Sequence, residues 1–176
     1  MSEHLILTIP DLMSPKQCED LILFSEYRGY EEAKVKTRMG DRMLKSIRDN
    51  YRVQYKDDVL AQELFGKIKD LVPAQFGEKK LHSVGNLFRF YRYEKGQRFN
   101  MHRDGQVHLA DDVQSQLSFL VYLNQDFADG QTTFQKGPVI EPKTGLGLCF
   151  VHHLKHKGEA VPEGIKYVLR SDIFYQ

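Results

Sequence analysis

The stretch "RFNMHRDGQVHL" (98–109) sets His102 and Asp104 two residues apart, in what reads as the end of a β-strand. In an extended chain, side chains at i and i+2 leave from the same face, so an imidazole and a carboxylate are aimed at one spot. Both are ligands for iron, manganese or zinc, and at this spacing they can take adjacent positions on one ion. A third ligand has to come from another strand, and "FVHHLKHKG" (150–158) offers His152, His153 and His156. Two His and one carboxylate leave three positions open on octahedral iron, through which a cosubstrate and O₂ can be admitted. H-x-D alone is weak, because a surface turn carries the same residues. "HRDG" is also the start of a kinase-type catalytic loop, but these 176 residues have no Gly-rich phosphate loop, DFG or matching lysine.

The elements that must position such a site can be read from periodicity. "SPKQCEDLILFSEYRG" (14–29) reads as a helix with Ser14 as N-cap, Pro15 at its first position, Gln17 completing a capping box and Gly29 ending it. Cys18, Leu21, Ile22 and Ser25 form its small apolar stripe. A second helix is expected from Asp57, with Leu60, Leu64, Ile68 and Leu71 on one face and Pro73 closing it. Between the two, "KVKTRMGDRMLKSIRDNYRV" (34–53) reads as a basic, irregular loop. After Pro73 the period becomes that of strands: "NLFRFYRY", "VQSQLSFLVYL", "TTFQ", "PVIEP", "GLCFVH" and "IKYVLRSDIFY" are short β-branched and aromatic runs between Gly, Pro, Asn and Asp. Two helices followed by at least six strands point to an antiparallel sandwich or barrel with helices packed outside.

Two of these strands carry a polar face. Gln114, Gln116, Ser118, Leu120 and Tyr122 alternate with Val113, Leu117, Phe119, Val121 and Leu123. Lys166, Val168, Arg170 and Asp172 alternate with Ile165, Tyr167, Leu169, Ile173 and Tyr175. Such faces look either at solvent or into a wet pocket within the roll.

Whole-chain properties bound the rest. A length of 176 residues with 41% hydrophobic and 28% charged content fits one globular domain, 1–176. The formal net charge of +1 argues against a nucleic-acid partner or an anionic membrane. "HLILTI" is too short for a secretory h-region, and no apolar run approaches the roughly 20 residues of a membrane span. Cys18 and Cys149 sit in apolar runs and read as core thiols. A cytoplasmic protein without membrane contact is expected; its oligomeric state cannot be read.

The metal-ligand pair belongs to a longer series of motifs. "YEKGQRFNMHRD" (93–104) resembles the prolyl-4-hydroxylase-like branch of the Fe(II)/2-oxoglutarate-dependent oxygenases, whose pattern is Y-x-x-G-x-x-[F/Y]-x-x-H-x-D. Tyr93, Gly96, Phe99, His102 and Asp104 match it in register. "VYLNQDFADGQTTF" (121–134) is similar to the family's Y-L-N…G-G-x-T-x-F, with Asp129 in place of the first glycine. "IEPKTGLGLCF" (140–150) is similar to P-x-x-G-x-x-L-x-F. "HKGEAVPEGIKYVLRSD" (156–172) is similar to H-x-G-x-x-V-x-x-G-x-[K/R]-Y-V-L-R-[S/T]-D. "LMSPKQCEDLI" (12–22) is similar to the helix that precedes the fold, so the resemblance spans nearly the whole chain.

The resemblance implies a mainly β (α+β) domain: a double-stranded β-helix (jelly roll) with N-terminal helices outside its major sheet. Residues 1–80 would be a helical support and 81–176 the roll. It implies Fe(II) on His102, Asp104 and His156, because Gly158, Val161, Gly164 and Lys166 fall in register behind His156; His152 and His153 are out of register. It implies 2-oxoglutarate as cosubstrate, its 5-carboxylate on Lys166 and Tyr122, with Tyr93 as a further pocket residue. Arg170 shares the face of Lys166 and is a second candidate for that carboxylate, unless it is salt-linked to Asp172 or Asp104. Thr132, His108 and Arg103 are rim candidates. The implied activity is hydroxylation of a small molecule, an amino acid or a protein side chain with O₂, releasing succinate and CO₂. The alternative is a cupin-like metal-binding sensing module without turnover, for which the Asp129 replacement leaves room. The segment 34–52, with Arg38, Arg42, Lys45 and Arg48, is expected to border the pocket mouth as a lid.

Overall fold

The computed structural model describes residues 4–33, 35–37, 40–42 and 48–176, with backbone alone at 35–37 and 40–42. Among these, two helices, α1 (Pro15–Arg28) and α2 (Asp58–Ile68), accompany sixteen strands. The first eight are β1 (Ile6–Ile9), β2 (Glu31–Glu32), β3 (Val35–Thr37), β4 (Gly40–Arg42), β5 (Arg48–Asp49), β6 (Tyr51–Lys56), β7 (Gln75–Phe76) and β8 (Lys79–Val84). The second eight are β9 (Leu87–Tyr93), β10 (Arg98–His102), β11 (Gln114–Tyr122), β12 (Thr132–Phe134), β13 (Val139–Ile140), β14 (Gly147–Val151), β15 (His156–Gly158) and β16 (Lys166–Tyr175).

The larger sheet runs β1-β14-β11-β16-β9-β6-β2, with β8 also on β16 and β7 on β8; the smaller runs β13-β12-β15-β10-β5, and β3 pairs with β4. All recorded strand pairs are antiparallel, including the long central one in which Leu120 faces Arg170 and Tyr122 faces Val168. Alternation then divides each central strand between two layers. Leu117, Phe119, Val121 and Leu123 of the β11 region join Leu169, Ile173 and Tyr175 of β16 and the helix residues Cys18, Leu64 and Ile68 in one buried cluster. Tyr122 and Val168, from the opposite faces, join Tyr91, Tyr93, Phe150 and Phe134 in a second cluster between the sheets.

The helices follow their sequence signals closely. Ser14 caps α1 through the Gln17 backbone N–H, and Gln17 closes the capping box, with Pro15 inside the first turn and Gly29 as C-cap. Asp57 caps α2 through the Leu60 N–H. That helix ends at Ile68, however, so Leu71 lies beyond it and is exposed, while Val72 turns into the core. Ile165 likewise precedes its strand and is exposed.

The stretch expected to be one irregular loop contributes strands instead. Tyr51–Lys56 pairs along β9, with Val53 and Tyr55 against the core beneath the helices, and Arg48–Asp49 pairs with β10. The first 80 residues therefore supply strands β1 to β7 and the start of β8 as well as the helices. Arg38, Lys45 and the side chain of Arg42 lie outside the described residues. Cys18 and Cys149 are both buried free thiols.

Candidate metal and cosubstrate site

The register of the smaller sheet sets the site. β10 and β15 pair so that His102 lies directly opposite His156, with ring centroids 4.3 Å apart. Asp104 follows β10 out of the sheet, where its N–H donates to the His152 carbonyl. One ligand atom from each of His102, Asp104 and His156 falls within 4.8 Å of the others. His152 and His153 do not join them. His152 is buried between Ser118 and Ser115, with a hydroxyl 2.8 Å from each ring nitrogen. His153 is exposed, and its carbonyl accepts from Arg103.

The donor set suits a divalent metal. Nδ1 of His102 donates to the Asn100 carbonyl at 2.8 Å, and Nδ1 of His156 to the Leu154 carbonyl at 3.0 Å. That tautomer leaves each Nε2 with its lone pair, and the two point at Asp104, 3.5 Å and 3.8 Å from its oxygens. Burial pushes the His156 pKa down to about 4, so the ring is neutral and ready to ligate at pH 7. The rings are fixed by packing: Phe99 stacks on His102 at 3.5 Å, and Phe150 meets His156 edge-on at 4.5 Å.

Asp104 is nearly buried, which opposes its charge. Arg170 at 3.1 Å and the two imidazoles outweigh that burial and hold its pKa well below the usual carboxylate range, and the Ser118 hydroxyl donates to the same carboxylate. Arg170 in turn reaches Asp172 at 3.2 Å, and Asp172 takes Arg89 at 3.0 Å. Two arginines and two carboxylates thus close a buried network in which the Arg170 charge is paired twice, although its Nε is buried without a hydrogen-bond partner. Burial penalises the arginine charge, but the two carboxylates more than compensate and raise its pKa further.

A pocket opens beside the ligands, lined among others by Tyr91, Tyr93, Tyr122, Thr132, Lys166 and Arg170. Lys166 is 3% exposed and donates to the Gly130 carbonyl at 2.6 Å, and no acid among the described residues pairs with it. Burial pushes its pKa down to about 7. Its ammonium lies 5.3 Å from the Tyr93 ring centre and 5.5 Å from that of Tyr122, whose hydroxyl donates to Thr132 at 2.6 Å. Gly130 sits at φ +67°, and a Cβ there would press on Phe127, Val161 and the Lys166 stem, so glycine lets the backbone reach the amine. Asp129, where the family pattern has another glycine, adopts φ +53°, a left-handed conformation that Asp tolerates better than most residues. Of the rim candidates, Thr132 lines the pocket, while Arg103 and His108 are exposed outside it.

Two participants, Ser118 and Tyr91, escaped the sequence reading, and a third, Arg48, was expected only as part of a basic segment at the pocket mouth. Ser118 was visible only as one of several polar positions on its strand. Tyr91 lines the pocket, and although burial would raise its pKa, the charges of Arg170, Arg48 and Arg89 bring it below the ordinary tyrosine value. Arg48 lies against Tyr91 and Phe99. None has a motif of its own; each acts across strands that only the fold brings together.

Residues 88–171 match the family model of the 2OG-Fe(II) oxygenase superfamily. Comparison with curated proteins yields no match. Among solved structures, a viral collagen prolyl hydroxylase from Paramecium Bursaria Chlorella virus-1, in complex with 2OG, is similar with a TM-score of 0.64 at 18% identity, over 96% of this chain and 95% of that one. A Pseudomonas putida prolyl-4-hydroxylase gives 0.67 at 17% identity, over 97% and 92%. A Trichoplax adhaerens prolyl hydroxylase in complex with a hypoxia-inducible-factor peptide gives 0.68 at 14% identity, over 96% and 83%. At these identities the likeness is one of fold, the double-stranded β-helix.

Proposed function

On the match of residues 88–171 to the 2OG-Fe(II) oxygenase superfamily model, we propose that this chain is an oxygenase of that kind, hydroxylating a substrate with Fe(II) on His102, Asp104 and His156 and 2-oxoglutarate on Lys166. The observation that carries the proposal is the meeting of three ligand atoms in a pocket that a buried lysine, without an acid partner among the described residues, also lines. Bound there, the iron with 2-oxoglutarate and O₂ supplies the oxidising chemistry that converts a C–H to C–OH, with succinate and CO₂ as by-products.

The chain's own residues do the holding. Arg170 and Ser118 fix the Asp104 carboxylate, and the carbonyls of Asn100 and Leu154 fix both imidazole tautomers. Lys166 lines the same pocket as the three ligand candidates, so a dicarboxylate held at the metal would turn its far end toward the amine. An arriving carboxylate restores the lysine charge that burial disfavours. Tyr122 and Tyr93 wall that end of the pocket and keep water from it. Arg170, held by two acids, is not the anchor in this reading.

The substrate is a small molecule or a protein side chain. The similar structures bear the names of prolyl hydroxylases, one with a peptide bound, which supports the second class. A cytoplasmic location accords with the two buried free thiols.

The test is succinate formation by the Fe(II)-loaded chain given 2-oxoglutarate and O₂, across panels of metabolites and peptides. Turnover that disappears in Asp104→Ala supports the proposal. An iron-loaded chain that forms no succinate with any panel is the metal-binding sensing module instead.

A further inference from the structure

Resting on this reading of the site, one buried charge is left over. Arg48, on β5, is 6% exposed. Its Nε donates to the Asn50 side-chain oxygen at 3.0 Å, but its Nη2 is buried without a hydrogen-bond partner. The guanidinium lies 4.8 Å from the Tyr91 ring centre and 4.4 Å from that of Phe99. Both rings line the pocket, and Phe99 is the ring that stacks on the metal-ligand candidate His102. Strand pairing fixes the placement, because Arg48 is the cross-strand partner of Phe99.

A guanidinium cannot shed its proton at any ordinary pH, so burial without an acid is costly. The acids close to the pocket are already taken: Asp104 and Asp172 are held by Arg170 and Arg89. Asp49, next along the strand, leaves from the opposite face. Residues 43–47, Met-Leu-Lys-Ser-Ile, contain no acid. Lys166 can regain its charge from the far carboxylate of the cosubstrate, and Arg48 has no such compensation among the described residues. The pocket itself adds the Tyr91 hydroxyl beside Arg170, a second polar group on the same wall.

We propose that Arg48, with Tyr91, is the specificity-determining anchor for a carboxylate of the primary substrate, so that the chain oxidises an acid. The carboxylate is either that of a free small acid or that of an aspartyl or glutamyl side chain. A planar carboxylate accepts from the Nη2 edge while the aromatic rings flank the guanidinium; Arg48 lies behind Tyr91 and Phe99, which themselves line the pocket, so the acid reaches it past those rings. A neutral isostere leaves the charge uncompensated.

The test uses the full chain loaded with Mn(II) and saturating 2-oxoglutarate, so that binding is measured without turnover. Acid and amide pairs are titrated calorimetrically: acetate against acetamide, L-glutamate against L-glutamine, and the same two residues blocked as N-acetyl methylamides. The wild type should prefer the acid by roughly 10- to 100-fold in at least one pair, the range for a charge-assisted contact. A preference confined to free glutamate identifies a small acid, and one confined to the blocked residue a protein side chain. Arg48→Gln should lose the preference, while Arg98→Gln, exposed on the neighbouring strand, should keep it. If Arg48→Gln does not fold, ¹⁵N-arginine labelling of the wild type decides: the Arg48 Nε–H resonance should move with acetate and not with acetamide. Equal affinity for acid and amide in every pair, a preference that survives Arg48→Gln, or an unmoved resonance overturns the proposal. A chain that takes up neither Mn(II) nor 2-oxoglutarate overturns the oxygenase reading and this proposal with it, whereas a loaded chain indifferent to acids overturns this proposal alone.

Discussion

Lys166 and Arg170 stand on one face of one strand, four residues apart, and meet opposite surroundings. Arg170 faces Asp104 and Asp172 at 3.1 and 3.2 Å. Lys166 is buried beside two tyrosine rings with one carbonyl for a partner, and burial pushes its pKa down to about 7. Two cations at matching positions thus differ in kind: one is neutralised by two carboxylates, among them the proposed metal ligand Asp104, and the other is the proposed anchor for an anion. What separates them is the supply of acids from neighbouring segments.

The contrast breaks most sharply under removal of each cation. Arg170→Met leaves two buried carboxylates without one of their cations and should destabilise the ligand-free chain by ~3–5 kcal/mol in urea unfolding. Mn(II) should recover part of that loss by neutralising Asp104. Lys166→Met should do the reverse and stabilise the ligand-free chain at pH 7 and below. A loss of stability in that variant would show that the amine is better satisfied than its surroundings indicate.

The pH dependence has a definite sign. The folded Lys166 pKa, about 7, lies below its unfolded value of 10.5, so between these limits the unfolded chain binds more protons. Stability of the ligand-free chain therefore gains from Lys166 as pH rises from about 7 to the lysine range, and Lys166→Met should remove that slope in pH-dependent melts. Affinity for 2-oxoglutarate runs the other way: full below about pH 7, then declining as the amine loses its proton. Lys166→Arg should flatten this decline.

Smaller effects sharpen the same comparison. Lys166→Ala should raise the 2-oxoglutarate dissociation constant by roughly 10- to 100-fold. Tyr122→Phe, which removes one hydroxyl now donating to Thr132, should cost ~1 kcal/mol, or about fivefold. If calorimetry gives the large effect to a variant of Arg170 that still folds and binds metal, the anchor has been placed on the wrong cation.

The strand faces around this site were legible because alternation is strict where both sides of a sheet are covered. Ser118, Leu120 and Tyr122 face the pocket side, and Leu117, Phe119 and Val121 the helices, as their spacing indicates. The α1 caps were equally legible, since capping chemistry is local. The end of α2 was not: Leu71 continues the three-to-four-residue spacing past Ile68, and periodicity alone cannot tell a helix from the turn that follows it. In 48–56, the alternation of Tyr51, Val53 and Tyr55 carried a strand signal that the interleaved Arg and Lys residues obscured. Which of Lys166 and Arg170 has acid partners, and that Arg48 reaches Phe99, depends on register between segments distant in sequence, which no local pattern encodes.

The central claim is that His102, Asp104 and His156 form one metal site on which 2-oxoglutarate binding depends. Its most direct test is calorimetric titration of Mn(II), then 2-oxoglutarate, into the wild type and His156→Ala. The expected result is one Mn(II) per wild-type chain, 2-oxoglutarate binding only after the metal, and loss of both in His156→Ala. Undiminished Mn(II) and 2-oxoglutarate binding by His156→Ala would contradict it.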